Sequence, residues 1–234
     1  MHPKSGCKKI LLLLVLVTCT SIVHSQVIIA LVFGDKLNTD QLEFGLTGGL
    51  SISDISNFGT AKTRNGFNLG LYFNIKLNDK WFIHPEAVPK YPGGVTKLKP
   101  YSLGNANLDT LLKAGQVTRE VKNIVVPLIM RYRIRNQFFA EAGPQIGLRT
   151  RAKDIFKEGD LTYANNIEDQ LTRFDFGFAV GLAQKLRGEA GGMSIGIRYY
   201  LGVTDIDKIT AGSQKNSIWQ VTASIAVGAS KKND

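Results

Sequence analysis

Eight segments of the chain alternate apolar and polar residues with a period of two, and several carry charges in their middle. In residues 124–134, Ile124, Val126, Leu128, Met130, Tyr132 and Ile134 oppose Val125, Pro127, Ile129, Arg131 and Arg133. Residues 138–149 repeat the rule, with Glu141, Gln145 and Arg149 opposite Phe138, Ala140, Ala142, Ile146 and Leu148. Successive side chains of a strand point to opposite faces, so each segment is a two-faced strand. The same pattern covers residues 43–53, 66–77, 81–90, 173–186, 193–204 and 217–229. A face that is apolar on every strand must meet a core or lipid. The opposite face is rich in Gly, Ala and Ser, which suits a cramped interior.

The connections alternate in length. Residues 78–80, 135–137 and 187–192 form tight turns, while 54–65, 91–123, 150–172 and 205–216 are long. Outer-membrane barrels have short periplasmic turns, long extracellular loops and periplasmic termini. About eleven residues at roughly 3.3 Å each, tilted about 40°, span some 28 Å, close to the apolar band such barrels need. Phe44, Trp81, Tyr132 and Phe138 near one set of strand ends, with Phe174 and Trp219 near the other, read as interfacial girdles. The pattern therefore predicts an all-β, eight-stranded antiparallel up-and-down transmembrane barrel over residues 43–229. A soluble exported sandwich, the competing fold, usually shows weaker or mixed edge strands.

The first 25 residues carry Lys4, Lys8 and Lys9, then a short apolar core and the small residues of a cleavage site after Ser25. They read as a signal peptide, with 26–42 a periplasmic lead and 230–234 a C-terminal tail. Cys7 and Cys19 both fall in that leader, so no disulfide or thiolate site is expected beyond it. A lipobox at Cys19 is disfavoured by the preceding Thr18. Removing the three leader lysines lowers the formal net charge from +10 to about +7. No nucleic-acid module accompanies that basic balance; acidic lipid headgroups are the better partner for it.

With the apolar face outward, Glu86, Arg131, Arg133, Glu141, Arg173, Asp175 and Arg198 point into the lumen, with Arg149 and Lys185. Eight strands leave room only for side chains. Buried charges there must pair, so the expectation is an ionic network of Glu86, Glu141 and Asp175 among the arginines. A proton or ion path is the alternative.

The phrases GLTGGLSIS, GFNLGLYFNIKLNDKWFIHPEAV, NIVVPLIMRYRI, FFAEAGPQIGL, FDFGFAVGLAQKL and MSIGIRYYLGVTDI, in this order, resemble the PorT-like outer-membrane β-barrel family of Bacteroidetes. The resemblance covers almost all of the chain beyond the leader. It implies an eight-stranded barrel in the outer membrane of a Gram-negative bacterium, inserted by the barrel-assembly machinery. It implies no single activity. A role in protein secretion, as for the family's named member, is an alternative. The ending AVGASKKND departs from the aromatic residue that usually closes such barrels.

Enzyme chemistry has little to stand on. His84 is the only histidine beyond the leader, and Glu86 lies two residues on along the same face. A lipid-acting enzyme would have to use His84; a core histidine in the polar network explains it more simply. Glycine pairs lack the following Lys-Ser/Thr of a phosphate cradle, and Glu168-Asp169 and Asp205/Asp207 match no calcium-loop spacing. No metal or cofactor is expected. The longest connection, 91–123, is the best place for a specific function. Within it, residues 107–115 suggest a short amphipathic helix with Leu108, Leu111 and Leu112 on one side. Lys97, Lys99, Lys113 and Arg119 lie nearby, suited to lipopolysaccharide or a partner protein. The expectation is a non-enzymatic barrel anchoring surface loops that meet envelope or external partners.

Overall fold

A computed structural model describes residues 38–186, 192–209 and 211–227. The expected leader, most of the 26–42 lead, most of the 187–192 turn and the 230–234 tail lie outside the described residues. Among the described residues nine strands form: β1 Leu42–Ile55, β2 Lys62–Lys76, β3 Trp81–Leu98, β4 Gln116–Arg135, β5 Phe138–Glu158, β6 Leu161–Asn166, β7 Phe174–Lys185, β8 Met193–Gly202 and β9 Asn216–Ala226. All pairings are antiparallel, and β1 closes on β9 while β4 pairs with β5. The ring is therefore the eight strands β1-β2-β3-β4-β5-β7-β8-β9. The ninth, β6, hangs on the upper half of β5, from Lys153↔Asn166 to Glu158↔Leu161. Closure pairs every strand of the ring on both sides and leaves no open edge in lipid.

Alternation sets which side chains face out. Phe178 is 59% exposed between buried Gly177 and Ala179. Leu50, Val180 and Val221 are likewise exposed on the outside. The rings of Trp81 and Tyr132 lie 4.8 Å apart at the edge with the short turns, and Tyr199 and Trp219 4.7 Å apart toward the other. Inside, glycines let large side chains lie flat against the wall. Gly45 faces Tyr72 across β1–β2, and a Cβ there would sit 2.6 Å from the tyrosine ring.

The wall is uneven in height, which corrects the expected loops. About half of residues 91–123 and most of 150–172 are strand, because β3, β4 and β5 run for 18, 20 and 21 residues against 12, 10 and 11 for β7, β8 and β9. At about 3.3 Å per residue and about 40° tilt, 20 residues rise roughly 50 Å, twice the apolar band. The upper halves of β3–β5 thus stand clear of the bilayer, with β6 as an added hairpin. Two bulges hide this extension from a period-two reading. The β3–β4 register shifts between Val88 and Tyr91, and on β5 Thr150 is the extra residue between partners of Lys122 and Asn123. One extra residue swaps inside for outside. Inward positions are 82, 84, 86 and 88 below the β3 bulge but 91, 93 and 95 above it; on β5 they pass from 147 to 152, 154 and 156.

Candidate functional site

The inward face of β4, followed from the periplasmic end, gives the layers of the lumen. Arg133 lies lowest, its guanidinium carbon 5.0 Å from the Phe82 ring centre and 5.6 Å from that of Phe139. Next comes a polar layer. Arg131 Nε donates to Glu141 Oε1 at 2.6 Å, and Arg198 Nη2 lies 3.0 Å from Glu141 Oε2 and 2.8 Å from Glu86 Oε1. His84 Nε2 is 3.2 Å from the same Glu86 oxygen, and its ring lies 4.9 Å from Tyr72. The four charged residues are all under 9% exposed. Two carboxylates thus balance two guanidinium groups, the arrangement that low-dielectric surroundings require. Glu43 joins from β1, accepting from Tyr72 Oη at 2.9 Å and Lys185 Nζ at 2.6 Å. Above this layer Val88, Tyr91, Val125, Tyr200 and Ile218 form one apolar cluster, accompanied by buried Gln145 and Gln220, the latter donating to Tyr91 Oη.

Three expected members of the network are placed differently. Arg173 is exposed at the bend entering β7, because that strand begins only at Phe174 and the chain turns outward before it. Among the described residues Asp175 pairs with no arginine; it accepts from Asn216 Nδ2 at 2.8 Å. Arg133 rests on aromatic faces, where a flat cation gains from the ring quadrupole without a carboxylate. Arg149 acts on backbone: its guanidinium donates to the carbonyls of Thr172, Glu168 and Leu171 and ties the β5–β7 connection down. His84 is fully buried, so no lipid reaches it through the wall.

A second constellation sits above the bilayer, inside the tall half of the wall. Arg119 Nε and Nη2 donate to Asp154 at 2.9 and 2.8 Å, and Nη1 donates to Asp207 at 3.0 Å. The three residues come from β4, β5 and the β8–β9 connection, and all are buried. The sequence suggests a surface cation at Arg119, yet odd positions of β4 point inward without a break from Val117 to Arg131. Above the lipid the outward face turns polar, with Thr118, Glu120 and Lys122, so an apolar-out rule no longer marks Arg119 as inward. The Phe58 ring covers Arg119 at 4.9 Å. Tyr101 Oη donates to Asp154 at 2.9 Å, and burial, with the Asp154 charge beside it, pushes that phenol up to about 12. Around this triad the loops fold inward over an apolar cluster of Ile55, Val95, Leu98, Leu112, Val117, Phe156 and Ile206. Among the cap loops lies a half-open cavity of about 540 Å³ bordered by Phe58, Leu98, Tyr101, Arg119, Asp207 and Ile209.

The expected helix is short, α1 Ala106–Leu111, capped by Asn105 Oδ1, which accepts from the backbone of Asn107 and Leu108. Its leucines do not share one role: Leu112 is buried in the apolar cluster, Leu108 is half-buried, and Leu111 is 54% exposed. Lys97, Lys99 and Lys113 are exposed. Ser102 Oγ and the Leu103 N–H donate to Asp109 at 2.6 and 2.7 Å and hold its carboxyl below the usual carboxylate range. A depressed carboxyl stabilises the loop above its ordinary pKa, and that contribution is lost as pH falls through the lowered value. The amide-proton shift of Leu103 should therefore titrate with a midpoint under about 3.9, the ordinary aspartate value; a midpoint at or above it would contradict the contact.

Residues 34–208 match the family model described as outer membrane protein beta-barrel domain. No curated protein matches the chain. Among solved structures, the attachment invasion locus protein Ail of Yersinia pestis aligns at 15% identity, covering 80% of this chain and 99% of that one, with a TM-score of 0.43. Neisserial surface protein A aligns at 10% identity over 78% and 96%, TM-score 0.43. The outer membrane protein OprG of Pseudomonas aeruginosa aligns at 14% over 81% and 97%, TM-score 0.35. With a closed eight-stranded ring, a lipid-facing apolar surface and a family model matched over most of its length, this chain belongs to the outer membrane protein β-barrel domain family.

Proposed function

We propose that the protein is a non-enzymatic surface barrel whose extracellular cap recognises an envelope or external partner. One observation carries this reading: open space and exposed apolar side chains gather at the cap, while side chains layer the lumen beneath. The cavity of about 540 Å³ opens among cap loops. Leu111, Leu161 and Ile209 are 54%, 51% and 69% exposed there, clear of any lipid. Exposed apolar side chains rimmed by polar residues suit contact with another molecule. In the same reading the Glu86–Arg131–Glu141–Arg198 layer is structural: it fixes the ring and seals it, and the lysines of the cap border the contact.

The test is site-specific photocrosslinking in intact cells. A photoreactive side chain at Leu111 or Ile209 should yield a discrete protein adduct, whereas one at lipid-facing Met130 should not. Adducts at none of the cap positions, or the same adducts at all three, would overturn the reading.

A further inference from the structure

The outward face of the tall wall carries an arrangement that the cap does not use. Lys122 on β4 and Arg151 on β5 are direct cross-strand partners, and both are exposed. Like charges directly opposite one another destabilise a sheet. Among the described residues neither has an acidic partner, nor has Arg173, exposed at the next strand of the ring. On the other flank Lys90 of β3 is exposed, its Nζ 5.2 Å from the ring centre of lipid-facing Phe67. Four neighbouring strands of the ring thus carry a cation near the top of the apolar band. Lys122 and Arg151 stand opposite one another, with Lys90 and Arg173 about two residues lower on the flanks, since Lys122 faces Pro92 and Arg149 faces Arg173. The apolar band starts immediately below: Ile124 follows Lys122, Leu148 precedes the bulge under Arg151, and Phe174 follows Arg173.

The carboxylate one step higher does not neutralise this row. Glu120 is taken by Arg64 at 3.0 Å and Lys153 at 3.5 Å. The rest of the ring lacks the feature: the first outward residues above the apolar band are Asp54 on β1, Asn65 on β2 and Ser217 on β9, and β8 runs out through Leu201 and Val203. The row is therefore an arc on one side, held mid-strand in a rigid wall. In an outer membrane, the level just above the apolar band of the extracellular leaflet is that of the phosphates of the leaflet's glycolipid. Arginine and lysine aligned there meet phosphate with charge-assisted hydrogen bonds, and a bridging phosphate would relieve the opposed Lys122–Arg151 pair.

We propose that the arc of Lys90, Lys122, Arg151 and Arg173 binds the phosphate groups of lipid A and fixes one lipopolysaccharide molecule against the tall wall. The inference rests on the outer-membrane location and is independent of what the cap recognises. The barrel, refolded in detergent micelles, would be titrated with bisphosphorylated lipid A and the complex read by native mass spectrometry. Lys122→Gln with Arg151→Gln should weaken binding about thirty-fold, the combined effect of two basic residues at an anionic surface. A Lys62→Gln, Lys215→Gln control, off the arc, should bind as the parent does. A measurement on the unmodified barrel stands beside it: lipid A stripped of both phosphates should bind no better than the double variant does with the intact lipid. Unchanged affinity in the double variant, equal binding of the dephosphorylated lipid, or equal binding of phosphatidylglycerol would each overturn the proposal. Crosslinks at the cap are unaffected by any of these results, so the two readings fail separately.

Discussion

Glu141→Ala should destabilise the barrel by about 3–5 kcal/mol, the usual cost of removing one partner from a buried ion pair. Glu141 accepts from both Arg131 and Arg198, so its loss leaves two buried guanidinium groups with Glu86 alone. Water cannot easily take its place, since Phe82 and Phe139 close the lumen below and Tyr91, Val125 and Tyr200 close it above. Equilibrium urea unfolding of the barrel in micelles measures the loss. Charge balance, rather than volume, is the cause, and a second variant separates them. Arg131→Met with Glu141→Leu removes one charge of each sign, keeps the Arg198–Glu86 contact, and should regain most of the lost stability. A single variant that loses under about 1 kcal/mol would refute the account, as would a double variant no better than the single.

Arg119→Met should release the cap while leaving the ring intact. Asp154 and Asp207 are buried against the same guanidinium, which supplies the cation between them. Without it two carboxylates face each other under the apolar cluster, at a cost of about 3–5 kcal/mol for the uncompensated charge. That energy concentrates on the β8–β9 connection and the 99–115 loop, whose attachment runs through Asp207, Tyr101 and Leu112. Protease added to intact cells should therefore cut within residues 99–115 and 205–216 of the variant much faster than in the parent. The membrane-embedded ring should still migrate as a folded band on an unheated detergent gel. A variant whose cap resists protease as the parent does would show that the triad is not what holds it.

These two sites differ in how far the sequence announced them. Glu86, Arg131, Glu141 and Arg198 stand on alternation that runs without a break through the membrane band, so their inward direction follows from parity alone. Arg119 keeps the inward parity of Arg131 along β4, but the outward face there turns polar once it leaves the lipid and the apolar-out signal is lost. Asp154 lies past the bulge at residue 150, where parity reverses, and Asp207 lies in a connection that has no parity. Asp154 is 35 positions from Arg119, and Asp207 is 88 away, so only the closed ring brings them together. Arg173 shows the converse: parity within the strand pointed it inward, but the strand starts one residue later and the bend carries it out. Leu108 and Leu111, assigned to one face of a helix, part because the helix ends at Leu111 and Leu112 turns down into the core.

Local, repeating properties were legible in the order of residues: two-faced strands, an apolar exterior, tight turns at one end, and which charges inside the band need partners. Each of these follows from a rule that acts over two residues at a time. The height of the wall, the ninth strand, the cap and its cavity, and the cationic arc outside it arise only when the ring closes. Those depend on register between strands distant in the chain and on bulges that shift the phase by one residue. A period-two pattern carries no memory of phase across such a shift.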